Sequence, residues 1–121
     1  MRKLQSLDVW SASLSAAEAA YRLTMQDSLA RHFAIIDQVR RSSTSIPANL
    51  AEGYGLGTQP QLLKHLRIAI GSAYELRTHL TIVASLELID TDTVQEVIER
   101  TDRCIALLLG TYRGLQRTSA R

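Results

Sequence analysis

Residues 61–83 read QLLKHLRIAIGSAYELRTHLTIV, and this stretch decides the fold. Leu62, Leu66, Ala69, Ala73, Leu76, Leu80 and Val83 step by four and three without a break. A helix returns to the same face at that spacing, whereas a strand alternates every second residue, so the stretch is one long helix with a single apolar seam. Thr58 stands three residues ahead of Gln61 with Pro60 in the first turn, the pattern of a capped start, and the helix is expected over 59–87. Gly71 in its middle costs about 1 kcal/mol relative to Ala and is expected to mark a close approach of another helix.

Downstream, Val94, Ile98, Thr101, Ile105, Leu108, Tyr112 and Leu115 repeat the same alternation, giving a helix over 92–116 with Thr93 and Glu96 in capping-box register. The basic tail after Gly114, with Arg117 and Arg121, is expected to fray. These two helices are each about 25 residues, roughly 38 Å at 1.5 Å per residue, and a short turn between them demands antiparallel neighbours. Upstream, Ile36, Val39, Ser43, Ile46, Leu50 and Gly53 mark a helix over 35–54, and Trp10, Leu14, Ala17 and Tyr21 mark one over 8–24. Met25–Arg31 reads as their connection, with Asp27 or Ser28 available as a cap.

Pro47 removes a backbone donor inside the second helix and crowds the Ser43 carbonyl, which costs about 3 kcal/mol or bends the helix. Hydroxyls on Ser42, Ser43, Thr44 and Ser45 can donate to nearby carbonyls and soften that cost. The glycines between Gly53 and Gly57 end the helix. The fold expected is therefore all-α: one domain over 1–121, an antiparallel up-down-up-down four-helix bundle with its second helix kinked at Pro47.

Composition agrees. A chain of 121 residues has room for one core, and 45% apolar with 21% charged residues is ordinary globular composition. Only 5% of residues are aromatic, and 6 Gly with 2 Pro are too few for a turn-rich β-sandwich. The single cysteine, Cys104, excludes an intrachain disulfide and suits a reducing, cytoplasmic setting. No stretch approaches the roughly 18 apolar residues of a membrane span, and polar residues interrupt any secretory leader, so neither insertion nor export is expected. Of 14 basic side chains all but Lys3 and Lys64 are arginine, the planar cation suited to phosphate and carboxylate forks. A net charge of +2 permits nucleic-acid binding without diagnosing it.

The run from Arg40 to Gly55, RRSSTSIPANLAEGYG, resembles the signature of the four-helix-bundle proteins encoded in 23S rRNA intervening sequences. The likeness continues through Leu66–Leu76, LRIAIGSAYEL, and more loosely through Leu7–Trp10 with Tyr21 and Thr24. That family is in turn similar to the accessory variability proteins of diversity-generating retroelements. The resemblance implies a bacterial, cytoplasmic, non-catalytic bundle that assembles as a homopentamer, with RNA or DNA and a reverse transcriptase as possible partners. The sequence departs from the pattern at Leu56, where the family has Arg, and at Gln61, Leu62 and His65, where it favours Glu, Phe and Phe.

Arg40, Lys64, Arg67, Arg113 and Arg117 are the candidate nucleic-acid contacts. Glu96 with Arg100, and Glu99 with Arg103, stand at i, i+4 and should pair, leaving Arg113 and Arg117 freest. Fivefold assembly would raise +2 per chain to about +10 per particle. Asn49, Glu52 and Glu75 stand at positions of the family motif, and with Arg41 and Ser72 they form a candidate structural polar network, because polar groups near a bundle seam must be paired. Arg41, Ser45, Ala48 and Glu52 share one helical stripe, which suits an ion-pair network, with phosphate contact as the alternative.

No catalytic constellation stands out, so an enzyme is not expected. The Gly53–Gly57 run lacks the preceding strand and the Lys-Ser/Thr of a phosphate loop. His32, His65 and His79 are scattered and no Glu-x-x-His pair is present, so neither a metal nor another cofactor is expected. Cys104 lies beside an apolar seam and reads as a packed thiol. The function expected is a non-catalytic homo-oligomer that binds nucleic acid; the alternative is a protein-interaction scaffold, such as an accessory partner of a retroelement reverse transcriptase.

Overall fold

Four α-helices account for most of the computed structural model, which describes residues 3–119: α1 (Asp8–Leu23), α2 (Phe33–Leu56), α3 (Gln59–Ser85) and α4 (Thr91–Ser119). Two single 3-10 turns, Leu4–Ser6 and Asp27–Leu29, complete the regular structure, and no strand occurs among the described residues. Each helix packs on its neighbour in sequence, and α1 closes the bundle against α4. Short links force consecutive helices to run in opposite directions, which gives the antiparallel four-helix bundle.

The α3 seam is buried as its spacing requires: Leu66, Ala69, Ala73, Leu76, Leu80 and Val83 are fully enclosed and Leu62 nearly so. Thr58 caps the helix, its hydroxyl accepting from the Gln61 amide at 3.4 Å, with Pro60 in the first turn. In α4, Val94, Ile98, Thr101, Ile105 and Leu108 are buried, whereas Tyr112 and Leu115 are half-buried. Its cap is Asp90, whose carboxylate accepts from the Thr93 amide at 3.1 Å, so Thr93 occupies the third helical position instead of the cap. The helix continues past Gly114 to Ser119, where fraying was expected; Arg121 lies outside the described residues.

In α1 the element matches its pattern but the buried face does not. Of the expected stripe Ala17 is buried and Trp10 half-buried, but Leu14 and Tyr21 are exposed, and the rest of the buried face is Val9, Ala12, Ser13, Ala16, Ala20 and Leu23. Small side chains let the helix axes come close, which serves packing better than turning the larger stripe inward. Ser13 tolerates burial because its hydroxyl donates to the Trp10 carbonyl at 2.8 Å. The link to α2 uses neither Asp27 nor Ser28 as a side-chain cap; it is anchored by Leu29, which is completely buried.

α2 runs uninterrupted through Pro47. Hydroxyls of Ser42, Ser43 and Thr44 donate to the carbonyls of Gln38, Arg40 and Arg40 at 2.7, 3.1 and 2.8 Å. Gly57 ends the helix with φ 81°, the left-handed conformation that glycine adopts freely, while Gly53 and Gly55 remain helical. At Gly53 two helices approach closely: a Cβ there would stand 2.9 Å from His65 Cβ and 3.3 Å from Leu62 Cα. Gly71, expected in that role, faces open space.

Candidate nucleic-acid interface

The antiparallel arrangement brings the start of α1, the end of α2, the start of α3 and the end of α4 to one end of the bundle. Residues 3–15, 45–72 and 105–119 make up that half, where Lys3, Lys64, Arg67, Arg113 and Arg117 stand against Asp8 and Glu52, a net of +3. The other half has seven cations and ten carboxylates, a net of −3. The modest overall charge therefore conceals a strong separation along the bundle axis.

Pairing sharpens the separation. In the acidic half, Arg22 pairs with Glu18 at 2.9 Å, Arg41 with Asp37 at 3.7 Å, Arg100 with Glu96 at 2.8 Å, and Arg77 with Asp102. The expected pair between Glu99 and Arg103 does not form, although both side chains are exposed. In the cationic half, Lys64, Arg67, Arg113 and Arg117 are all exposed and none has an ion partner among the described residues.

Arg40 stands apart from those four. Its guanidinium lies 4.4 Å from the centre of the Tyr21 ring, and its Nε donates to Thr24 Oγ1 at 2.9 Å. It joins α2 to α1 by a cation–π contact and a hydrogen bond, and it sits in the acidic half.

The candidate polar network forms in part. Ser72 Oγ and Ser45 Oγ are 2.8 Å apart across the α2–α3 seam. Asn49 donates from Nδ2 to the Ser45 carbonyl at 2.8 Å and to Ser45 Oγ at 3.1 Å, and His65 Nδ1 donates to Asn49 Oδ1 at 3.0 Å. Glu52 Oε2 lies 3.8 Å from the same nitrogen. Asn49, Glu52 and Ser72 thus belong to one ladder with Ser45, which the spacing had placed on the stripe of Glu52, and with His65, which no spacing connects to α2 until the two helices are placed in register. Arg41 and Glu75 lie outside it: Arg41 turns back to Asp37, and Glu75 reaches His79 on its own helix at 3.5 Å.

Beside the cationic residues, Gly53, Tyr54, Gly57, Leu62 and Leu115 line a crevice of about 300 Å³. Burial pushes the Tyr54 phenol above its ordinary pKa. Burial also pushes the Cys104 thiol up to about 12, which leaves little reactive thiolate. No cluster of metal-binding side chains occurs among the described residues, and no helix there is long and apolar enough to cross a membrane.

Residues 5–110 match the family of 23S rRNA-intervening sequence proteins. Among solved structures, the fold is similar to that of a protein of unknown function from the S23 ribosomal protein family of Bacteroides thetaiotaomicron, with a TM-score of 0.76 and 23% identity over 86% of this chain and 97% of that one. No curated protein matches the chain.

Proposed function

This chain belongs to the 23S rRNA-intervening sequence protein family, and from that premise we propose that it is a non-catalytic, cytoplasmic, self-associating protein that binds RNA or DNA through its cationic half. One observation carries the reading: Lys64, Arg67, Arg113 and Arg117 are exposed, have no ion partner among the described residues and lie in the same half of the bundle. Unpaired cations release phosphate counterions on binding; cations already bridged to carboxylates contribute less.

Self-association would concentrate this charge. Five copies with parallel axes would gather about +15 on one face of a ring, a field no single chain provides. Light scattering tests that assembly: a particle near 67 kDa, about five times the 13.4 kDa chain, supports the pentamer, and a particle of one chain's mass overturns it.

Binding is tested by titrating structured RNA and duplex DNA at several salt concentrations. Affinity should fall steeply between about 50 and 200 mM salt. Arg113→Ala/Arg117→Ala should flatten the log–log slope by roughly 1.5 for each engaged subunit. An absence of salt-dependent binding to either polymer refutes the reading, and an unchanged slope in the double variant refutes the assignment of these two arginines.

A further inference from the structure

The tip of the acidic half, residues 24–37 and 82–92, combines two features absent from an ordinary solvated helix end. Met25, Phe33, Ile82 and Leu86 are 66%, 77%, 44% and 53% exposed. Phe33 is the chain's single phenylalanine and its most exposed large apolar side chain among the described residues. The neighbouring Leu29 is completely buried, so the connection does reach the core, yet Met25 and Phe33 on either side remain outside it. Large exposed apolar groups gathered in one place mark contact surfaces.

Charge indicates what the contact would be. Asp27, Asp37, Glu87, Asp90 and Asp92 share this tip with one cation, Arg31, a net of −4 within the two segments. Among the described residues, Asp37 alone of the five carboxylates has an ion partner, Arg41 at 3.7 Å from outside the tip. Asp90 is occupied by capping α4, and Asp27, Glu87 and Asp92 are exposed. Ile82 also lines, with Ala34, Ile35, Gln38 and His79, a groove of about 150 Å³ between α2 and α3. A groove between two helices accepts a third rod whose anchors recur every three or four residues.

We propose that this tip docks a basic amphipathic helix of another polypeptide, with apolar anchors against Phe33, Ile82 and Leu86 and with Lys or Arg flanks over the carboxylates. The site is independent of the nucleic-acid reading, which uses the opposite half. A second copy of this chain is the competing occupant, since its cationic half also complements the charge. That contact would be head-to-tail and would build an open fibre from copies stacked end on end.

The test uses the full chain and a fluorescent synthetic Leu–Lys amphipathic helix of about 18 residues, with a scrambled peptide of identical composition as control. The helical peptide should bind at least about tenfold more tightly than the scrambled one, and Phe33→Ser/Leu86→Ser should remove that advantage. Asp27→Asn/Asp92→Asn should flatten the salt dependence of peptide binding. All four substitutions fall on exposed side chains, and circular dichroism checks that the helices persist. Equal binding of the two peptides, or no response to Phe33→Ser/Leu86→Ser, overturns the proposal. A fall in the wild-type particle mass caused by that double variant also overturns it, by showing that a second copy covers the tip.

Discussion

The α2–α3 seam and the α1–α4 seam both place polar residues between antiparallel helices, neutral ones in the first and mostly charged ones in the second, with different results. Between α2 and α3, Gly53 lets the backbones close, and Ser72, Ser45, Asn49 and His65 form a half-buried chain of hydrogen bonds. Between α1 and α4, a groove of about 420 Å³ remains open, with Glu18–Arg22 and Glu96–Arg100 each paired along its own helix and Arg100 donating to Ser15 at 3.0 Å. Polar groups shielded from water must meet one particular partner and thereby set register; polar groups in an open groove can exchange partners with solvent at little cost.

The contrast is broken most severely at Gly53. Gly53→Ala should destabilise the fold by about 1–3 kcal/mol, because the added methyl meets His65 Cβ and the Leu62 backbone, which cannot simply rotate away. Urea denaturation would read this as a lower midpoint at unchanged slope. A midpoint equal to that of the wild type would mean that the two helices separate without penalty, and the seam would then be no tighter than its counterpart.

Asn49 comes next. Asn49→Ala leaves His65 Nδ1 and Ser45 Oγ each without one partner, and should cost about 1–2 kcal/mol. A double-mutant cycle with His65→Ala isolates the cross-seam part: the coupling should exceed about 0.5 kcal/mol, and additive losses would show that the ladder does not act as a unit.

These two positions also show what the sequence could reveal. The α3 seam was legible because Leu and Val at strict four-three spacing have one physical solution, burial, and the resemblance of Arg40–Gly55 to a family signature pointed to the same fold. The buried face of α1 was not legible, since Trp10, Leu14 and Tyr21 are the large side chains of the stripe that the spacing suggested, whereas the buried face is built mostly from alanines, whose small side chains let helices come close. Resemblance to the family motif pointed to Asn49 and Glu52, and the middle of α3 to Ser72, but the choice of His65 over Arg41 as partner depends on the register between two helices. The cationic half was legible only in part: the exposed arginines could be named, but their gathering at one end follows from chain direction, and the pairing of Arg40 with Tyr21 and Thr24 follows from tertiary contact.

Gly71 supplies the opposite sign within the same helix pair. A Cβ there meets nothing within 4 Å, so Gly71→Ala should stabilise the bundle by about 0.5–1 kcal/mol through helix propensity alone. Thermal unfolding would register an increase in Tm. A decrease would reveal a close approach on the outer face of α3, of the kind a neighbouring subunit would make.

The smallest effect belongs to the open groove. Glu96 and Arg100 are 63% and 46% exposed at the side chain, so their attraction is screened and ordering two long side chains offsets much of the gain. Glu96→Gln should therefore change stability by less than about 0.5 kcal/mol, and added salt should erase the difference between variant and wild type. A larger loss that persisted at high salt would require Arg100 to be shielded from water with Glu96 as its needed partner. Something would then have to cover the α1–α4 groove in solution, and the groove would have become a seam of the same kind as the one that Gly53 closes.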